Sequence, residues 1–531
     1  MQKDKQLTAT IAALSHWPAF QQRLFVEGAL VGVVSGIVIS FFRWALETGT
    51  TYREYIYTYI LEPGSLWMNA GWFLLLLIAA YALYRMGRYE PEAGGSGIPQ
   101  VKGIILGAVR LRWFRVLWVK LIGGILGIGL GLSLGREGPS IQLGAVTAQG
   151  LSRGFGRSRM EERYLITAGA SAGLAAAFNA PLAGAIFALE ELHRNFSGSV
   201  LAPAMAAALL STVVSRIVFG AAPVFHFGAL PPFPLNDLWL VILIGIVMGF
   251  AGHIFNLGLL NMHYFYELPV FRNRYMPIAF ALVCAGILGY VFPAVLGGGN
   301  DLINSLYMMP LSLTLFLTLL AGKFIFTLIS YGCGVPGGFF LPMLVLGALT
   351  GSVVGIILIQ CGIITPYYLS NIVVISMAAF FAASVHSPVT GTILIMEMTA
   401  SYEHLLVLCT ASLVALMVAQ ALKGKPIYTT LMNRMLAKKS KALMADAAKR
   451  RNLLELTVAS GSAVEGKKIG TISWPEHVAI IDIKRHNGEI VPDFGTRLQA
   501  GDYVYVLTDS IASAEGVRNL VEQEMYNNYK K

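Results

Sequence analysis

The sequence has 531 residues and a composition that excludes a protein soluble throughout its length. Hydrophobic residues make up 56% of the chain and charged residues only 13%, whereas soluble domains carry about 25% charged residues. A surface so poor in charge must be covered largely by lipid, so we expect an integral membrane protein. The net charge of +10 is attributed to membrane topology and lipid headgroups, and nucleic-acid binding is not expected.

The cysteines and the N-terminus carry no sign of secretion or of metal binding. The four cysteines, Cys284, Cys333, Cys361 and Cys409, are scattered and form no CxxC pair, which argues against a disulfide framework or a zinc site. The polar start of the chain is not typical of a cleavable signal peptide. We predict no metal and no cofactor.

Apolar stretches long enough to cross a membrane recur between residues 24 and 422. Pro181 and Pro388 stand inside two of them, where proline breaks or kinks a helix. Broken helices are tolerated at membrane depth only where they face protein or a wet cavity. The predicted stretches include Leu24–Leu46, Gly71–Met86, Phe114–Leu134, Tyr164–Leu189, Leu238–Leu257, Met276–Val295, Leu311–Tyr331, Phe339–Ile359, Ile372–Met398 and Leu405–Leu422.

An internal repeat divides this apolar region. The segment Asn179–Gly184, followed by Glu190, matches His386–Gly391, followed by Glu397, at a constant offset of 207 residues. A second set of identities, at an offset of 203, pairs Gly135, Pro139, Gly144, Ala145 and Lys120 with Gly338, Pro342, Gly347, Ala348 and Lys323. The repeat predicts two homologous halves with a site where their interrupted helices meet. It leaves open whether the halves are parallel or inverted.

The composition changes after the last apolar stretch, near Leu436. We divide the chain into an N-terminal cytoplasmic segment (1–23), a membrane domain (24–436), a basic linker (437–451) and a small α+β domain (452–531). Nine Lys or Arg residues and one acid lie between Lys423 and Arg451, so the linker is predicted to be cytoplasmic. The strands of the last domain are predicted at Leu454–Val458, Val478–Ile483 and Tyr503–Leu507, with a turn at 486–488 and a closing helix at Ile511–Asn527.

Three Gly- and Pro-rich segments beside apolar runs are candidates for the site: Gly95-Ser-Gly-Ile-Pro99, Gly135-Arg-Glu-Gly-Pro139 and Gly337-Gly-Phe-Phe-Leu-Pro342. Such sequences place a tight turn at a helix N-terminus, whose free N–H groups and partial positive charge attract anions. Several N-termini aimed at one point bind an anion without a full cationic charge, so the ion can still leave. The glycines could instead serve close packing of membrane helices, but the presence of three such turns favours an anion-binding site.

These segments, in this order, resemble the anion-site signatures of the CLC chloride channel and transporter family, over roughly Leu24 to Met435. The resemblance implies an all-α polytopic protein of the cell (inner) membrane, with an inverted-repeat helical fold, and a homodimer with one ion pathway per subunit. It implies that a central chloride binds the hydroxyls of Ser96 and Tyr428 and the backbone amides of Phe339 and Phe340. The supporting turn residues are Gly95, Gly97, Pro99, Gly138 and Pro139.

Glu137 places a carboxylate inside the predicted anion site. A carboxylate attracted to the amides that bind chloride must compete with chloride, and protonation would remove its charge and free the site. Its repeat mate is Phe340, so only one half carries a titratable group. Glu137 resembles the gating glutamate of the family, and a purely structural helix-terminus role would rest on the same attraction to N–H groups.

Glu190 and Glu191 are predicted to end a long apolar helix that starts near Tyr164, where ionisable groups are costly and usually functional. Counted from Asn179, Glu191 matches the glutamate with which exchangers of this family pass protons from the cytoplasm, and which its channels commonly lack. The repeat pairs Glu190 with Glu397, which indicates a cap or bridge between helix ends. A solvated helix end is the alternative for Glu190.

Three cations stand in apolar surroundings: Arg136, Lys120 and Lys323. They could bond carbonyls and acids, or raise the anion-attracting potential of the pore. The structural role is preferred for Lys323, whereas Arg136 and Lys120 are kept as supporting site residues. His386, at the Asn179 position of the repeat, is predicted to be packed and not to carry protons.

The C-terminal segment resembles a TrkA-C domain, on the basis of Val464–Ile469 and the Leu498–Asp502 turn. Such domains usually dimerise and often bind a small regulatory ligand. A nucleotide ligand and a passive dimerisation or folding role therefore both stay open.

The predicted function is chloride/proton exchange, and the predicted partners are chloride, protons, lipid and a second copy of the chain. A passive chloride channel is the alternative within the family, and retention of Glu137 and Glu191 disfavours it. Nitrate-selective relatives have proline at the Ser96 position, and fluoride exporters depart further from the signatures. A membrane enzyme is not expected, because no catalytic triad, metal-spaced cluster or phosphate loop is apparent. A cation transporter would need carboxylates or carbonyl rings.

Overall fold

The computed structural model describes residues 17–61, 65–193, 198–227, 230–447, 452–475, 478–485, 488–490, 492–508 and 511–522. Residues 1–16 of the predicted N-terminal segment, 448–451 of the linker, 486–487 of the turn and 523–527 of the closing helix lie outside this part. The chain divides into two compact units between Met432 and Asn433, and each is described by itself.

The first unit is helical. The helices of its first half are α1 (Trp17–Tyr55), α2 (Leu66–Tyr89), α3 (Ile98–Ile105), α4 (Trp113–Gly129), α5 (Glu137–Gly154), α6 (Arg159–Phe178), α7 (Pro181–Phe187) and α8 (Gly198–Phe219). Those of its second half are α9 (Leu238–Tyr266), α10 (Tyr275–Val291), α11 (Asn300–Ser305), α12 (Leu313–Gly332), α13 (Phe340–Gln360), α14 (Leu369–Val385), α15 (Pro388–Thr399), α16 (Leu405–Ala421) and α17 (Ile427–Ala447). Short π-helical segments, Ile56–Ile60 and Ala188–His193, continue α1 and α7.

Eight helices in the described part of the chain are long and apolar enough to cross a membrane. The spanning windows of α13 and α14 are 72% and 83% buried, whereas those of α2 and α12 are 28% and 33% buried. The first pair therefore forms the interior of the unit, and the second pair presents apolar side chains outward, as helices in contact with lipid do. Helix α8 was not among the predicted stretches; it packs against α1 and α6.

Small residues allow the buried helices to approach closely. A Cβ added at Gly144 on α5 would lie 2.1 Å from the carbonyl oxygen of Gly169 on α6. Only glycine fits at this crossing, as is common where membrane helices pack backbone to backbone.

The two predicted proline breaks are confirmed. Helix α6 ends at Phe178, Asn179 adopts a left-handed conformation with φ 56°, and α7 begins at Pro181. In the second half, His386 has φ 66° and α15 begins at Pro388. The prediction that Glu190 and Glu191 end one long helix is wrong, because the proline cannot continue α6 and a new helix starts there.

Equivalent residues of the two halves make reciprocal contacts and share backbone conformations. Gly135 and Gly338, which the repeat pairs, form an antiparallel bridge in which each N–H donates to the other's carbonyl, at 2.6 and 2.9 Å. Gly95 and Gly97 have φ values of 63° and 92°, and Gly297 and Gly299 have nearly the same values, 61° and 93°. The segment 297–299 is therefore the counterpart of 95–97. The repeat identified in the sequence did not predict this relation.

The second unit contains a four-stranded antiparallel sheet in the order β1-β4-β2-β3. The strands are β1 (Asn452–Thr457), β2 (Val478–Arg485), β3 (Gly488–Ile490) and β4 (Tyr503–Thr508), followed by α18 (Ile511–Glu522). The three predicted strands are present, and the short β3 was not predicted. Arg485 donates to both carboxylate oxygens of the buried Asp502, at 2.7 and 2.8 Å, and so ties the end of β2 to the turn before β4.

Helix α17 starts in the first unit and continues through Ala447. The segment from 437 to 447, assigned to a linker on composition, is thus helical in the structure. Lys and Arg have favourable helix propensities, so a basic composition alone does not end a helix.

Candidate functional site

The three Gly- and Pro-rich turns meet in the structure. Each leads into a helix: α3 begins at Ile98, α5 at Glu137 and α13 at Phe340. The Gly95 N–H donates to the Val335 carbonyl at 3.2 Å, and the Gly337 N–H donates to the Gly95 carbonyl at 3.0 Å. With the Gly135–Gly338 bridge, these bonds bring three helix N-termini to one place, and the partial positive charges of the helices add there.

Three polar side chains in this place are buried. The hydroxyls of Ser96 and Tyr428 have no hydrogen-bond partner in the protein, and the Glu137 carboxylate faces backbone amides, that of Leu341 among them. Their exposures are 1%, 0% and 0%. A buried polar group without a partner costs about 1–3 kcal/mol. Other buried side chains in the described residues also have no partner, so the shared position of these groups is what sets them apart. Such groups at helix N-termini are the pattern expected of a binding site for a small ion.

Aromatic rings form one wall of the site. The ring of Phe339 stacks on that of Tyr428, with centroids 5.2 Å apart, and meets that of Tyr331 edge-on at 4.8 Å. The ring of Phe340 packs instead against Phe178 at 5.4 Å. Both phenylalanine side chains are thus engaged in packing, and only their backbone amides, at the start of α13, remain to act on an ion.

The Glu137 carboxylate points towards the start of α13. A Cβ added at Gly135 would lie 2.2 Å from Glu137 Oε2 and 3.1 Å from the Leu341 amide nitrogen. The carboxylate therefore occupies a space that glycine leaves open beside the amides of the predicted anion site. An acceptor in this position competes with any anion for the same donors.

Arg136 lies at the rim of a cavity of about 680 Å³, which Glu47, Arg53 and Asp301 also line. Its guanidinium donates to Glu47 at 2.9 Å, and Arg43 donates to the same carboxylate oxygen at 2.8 Å. Glu47, on α1, was missed in the sequence because it directly follows a predicted apolar stretch. The cavity reaches Leu341, in the first turn of α13.

Glu191 forms a buried ion pair that the sequence did not predict. Lys102 on α3 donates to Glu191 Oε1 at 2.6 Å, and both side chains are 2% exposed. Ser387 donates to the other carboxylate oxygen at 3.4 Å. Lys102 stands in the apolar sequence of α3, so the criterion that selected Lys120 and Lys323 would also have found it.

The family model described as voltage-gated chloride channel matches residues 75–420, about two thirds of the chain. The chain belongs to this family, the CLC family. A TrkA-C domain model matches residues 453–515. The predicted fold class, a CLC-type helical membrane domain followed by a small α+β domain, is confirmed.

Curated CLC relatives match most of the chain. The H(+)/Cl(-) exchange transporter ClcA of Salmonella typhimurium is 36% identical over 420 residues, which cover 77% of this chain and 88% of that protein. ClcA of Salmonella paratyphi B is 35% identical over 439 residues, covering 81% and 91%.

Solved CLC structures share the fold. The crystal structure of a slow cyanobacterial Cl-/H+ antiporter has a TM-score of 0.73 and 32% identity, and the match covers 79% of this chain and 99% of that one. A eukaryotic CLC transporter, with a TM-score of 0.65 and 24% identity over 78% of this chain and 74% of its own, shows the fold alone.

Two other buried lysines of the CLC domain, Lys120 and Lys323, donate to backbone carbonyls. Lys120 donates to Ala93 and Gly95 at 3.0 and 2.6 Å, and Lys323 donates to Val295 and Gly297 at 3.0 and 2.7 Å. Lys120 thus holds the turn that carries Ser96, and it has the same contacts as its repeat mate. No group of His, Cys, Asp or Glu side chains that could hold a metal occurs among the residues described.

Proposed function

We propose that the chain exchanges chloride for protons across the membrane. The observation that carries the proposal is the meeting of three helix N-termini with two unpartnered hydroxyls and one buried carboxylate that faces backbone amides. Hydroxyls and amides suit an anion, and the carboxylate adds a group that can be protonated. The relatives named as exchange transporters support the same function.

In the proposed mechanism, chloride is held by the Ser96 and Tyr428 hydroxyls and by the amides of Phe339 and Phe340. No full positive charge is needed, so binding stays weak enough for release. Ionised Glu137 and chloride exclude each other from the amides at the start of α13. When Glu137 takes a proton it loses its attraction to these amides, and chloride can take its place. No cofactor is required in this cycle.

The test is flux in liposomes that contain the purified protein, with a chloride electrode and a pH electrode. A chloride gradient should drive protons uphill through the wild type. Glu137→Ala should pass chloride without protons, whereas Glu403→Gln, an exposed acid outside the site, should behave as the wild type. Chloride flux without uphill protons in the wild type would favour a passive channel, and uphill pumping that persists in Glu137→Ala would remove Glu137 from the mechanism.

The assembly and topology are part of the proposal. We propose a homodimer in the cell (inner) membrane with one pathway per subunit, and an N-terminal segment and a TrkA-C domain that are both cytoplasmic. The basic run from Lys423 to Arg451 supports this orientation of the C-terminal domain. Chemical cross-linking in liposomes would test the dimer, and protease access to the C-terminal domain in oriented vesicles would test the topology.

A further inference from the structure

One ammonium group connects the elements of the proposed site. Lys102 Nζ lies 2.6 Å from Glu191 Oε1 and 2.8 Å from Thr429 Oγ1. Lys102 is on α3, which begins two residues after Ser96, and Thr429 follows Tyr428 on α17. Lys102 therefore contacts the carboxylate that the family resemblance assigns to proton transfer. It lies on the helix that follows the turn carrying Ser96, and it bonds the helix that carries Tyr428.

The burial of the pair decides its effect on Glu191. In a low-dielectric interior, removing the charge of one partner leaves the other charge uncompensated, which is strongly unfavourable. Lys102 therefore opposes protonation of Glu191. The Thr429 hydroxyl lowers this penalty, because it remains a partner for the ammonium once Glu191 is neutral.

We propose that Lys102 is a positioning residue that sets the pH at which Glu191 takes up a proton, and that Thr429 links this event to the chloride site. The proposal rests on the exchange function proposed above and adds a residue to it. A proton arriving at Glu191 shifts the bonds of Lys102 towards Thr429, and therefore towards the turn of α17 that carries Tyr428.

Other charged or titratable groups near Glu191 bond or stack on partners of their own. Glu190, on the same segment, accepts from the amides of α15 at residues 389 and 390. Arg216 on α8 donates to Asn179 at 2.7 Å. His193 stacks on Tyr164 and interacts with Arg163 of α6, and Tyr428 is within electrostatic range of Glu191. Lys102 forms an ion pair with Glu191 at 2.6 Å.

The test is the dependence of chloride flux on internal pH, in liposomes whose transporters are oriented by one-sided inhibition. Lys102→Met should move the profile to higher pH by about one unit or more, because a buried carboxylate that has lost its cation protonates more readily. Lys102→Arg, which keeps the charge, should move it less. Thr429→Val should move the profile to lower pH, because the ammonium then loses the Thr429 hydroxyl, which stabilises it when Glu191 is neutral.

The same substitutions in a Glu191→Gln protein show whether Lys102 and Thr429 act through Glu191. In Glu191→Gln, neither Lys102→Met nor Thr429→Val should move the profile further. An equal shift in both backgrounds would overturn the proposal, and so would a loss of rate without any shift. If wild-type protein passes chloride but no protons, the exchange function itself fails, which the pH electrode reports independently. Elution as a single species in detergent establishes that each variant is folded.

Discussion

Glu190 and Glu397, 207 residues apart in the sequence, each bind the N-terminus of the helix associated with the other. Glu190 accepts from the Thr390 amide and hydroxyl, both at 2.7 Å, at the start of α15, the helix that contains Glu397. Glu397 accepts from the Ala183 amide at 2.7 Å and the Leu182 amide at 3.2 Å, at the start of α7. The helices that restart after Pro181 and Pro388 are thus capped by the opposite half.

Glu190→Gln and Glu397→Gln should each destabilise the membrane domain. Hydrogen bonds from amides to a carboxylate contribute about 1.5–3 kcal/mol to the stability of the fold. Glutamine keeps the shape of the side chain but loses the negative charge that the helix N-terminus attracts. The measurement is the thermal midpoint in detergent, with Glu403→Gln as the exposed control. The thermal midpoint of the double variant should fall by less than the sum of the two single decreases, because both caps stabilise the same contact between α7 and α15. An unchanged midpoint in both single variants would contradict a capping role.

Glu191→Gln should stop or strongly reduce proton movement while chloride binding is retained. The reason is that Glu191 bonds Lys102 and Ser387 and is not one of the unpartnered groups of the anion site. Chloride binding is measured by calorimetry and proton movement by the pH electrode. Glu190→Gln is the matched control one residue away, and it should keep its coupling at temperatures where it is folded. If Glu190→Gln alone lost coupling, the assigned proton acceptor would be wrong by one residue.

Ser96→Pro should shift the preference of the transporter from chloride towards nitrate, since it removes a hydroxyl that favours the small, strongly hydrated ion. The structure adds a complication, because the Ser96 backbone N–H also bonds Tyr331 and proline has no N–H. Ser96→Ala separates the two effects by removing only the hydroxyl. Both variants should lower the chloride-to-nitrate permeability ratio, and an unchanged ratio in both would leave Ser96 as a turn residue.

The sequence predicted the parts of the fold that depend on local chemistry. Glycine and proline mark the helix starts at Ile98, Glu137 and Phe340, and proline marks those at 181 and 388, because these residues restrict the backbone wherever they occur. The repeat predicted that Glu190 and Glu397 cap or bridge helix ends, because each half has a glutamate at the same position after its proline.

Contacts between distant segments could not be predicted in the same way. The pairs Lys102–Glu191 and Arg136–Glu47 join residues 89 apart in the sequence, and no local pattern specifies which acid meets which cation. The segment 297–299 was missed because Gly97 and its mate Gly299 share a backbone conformation and not a surrounding sequence. The helical continuation to Ala447 was missed because charge was taken to mark a linker.

The C-terminal unit has a core of its own, which makes a separate regulatory role testable. Its sheet and α18 bury Leu456, Ile483, Val504, Val506 and Val517, so the unit does not depend on the membrane domain for apolar burial. Tyr428, the proposed chloride ligand, lies on α17, and the same helix continues into the C-terminal unit. A ligand that binds this unit with different affinity in two transporter states must shift their populations.

We therefore expect a chain truncated after Lys441 to exchange chloride for protons but to lose any response to a ligand of the C-terminal domain. Cyclic dinucleotides are the first probes, because similar domains in bacterial ion transporters bind them. Full-length and truncated proteins are compared in the same flux assay across a nucleotide panel. Asp502→Asn in the full-length chain is the matched variant, since it weakens the bonds to Arg485 that join β2 to the turn before β4. It should reduce the ligand response without lowering basal exchange. If no nucleotide alters transport by the full-length protein and truncation changes nothing, the domain serves dimerisation or folding alone.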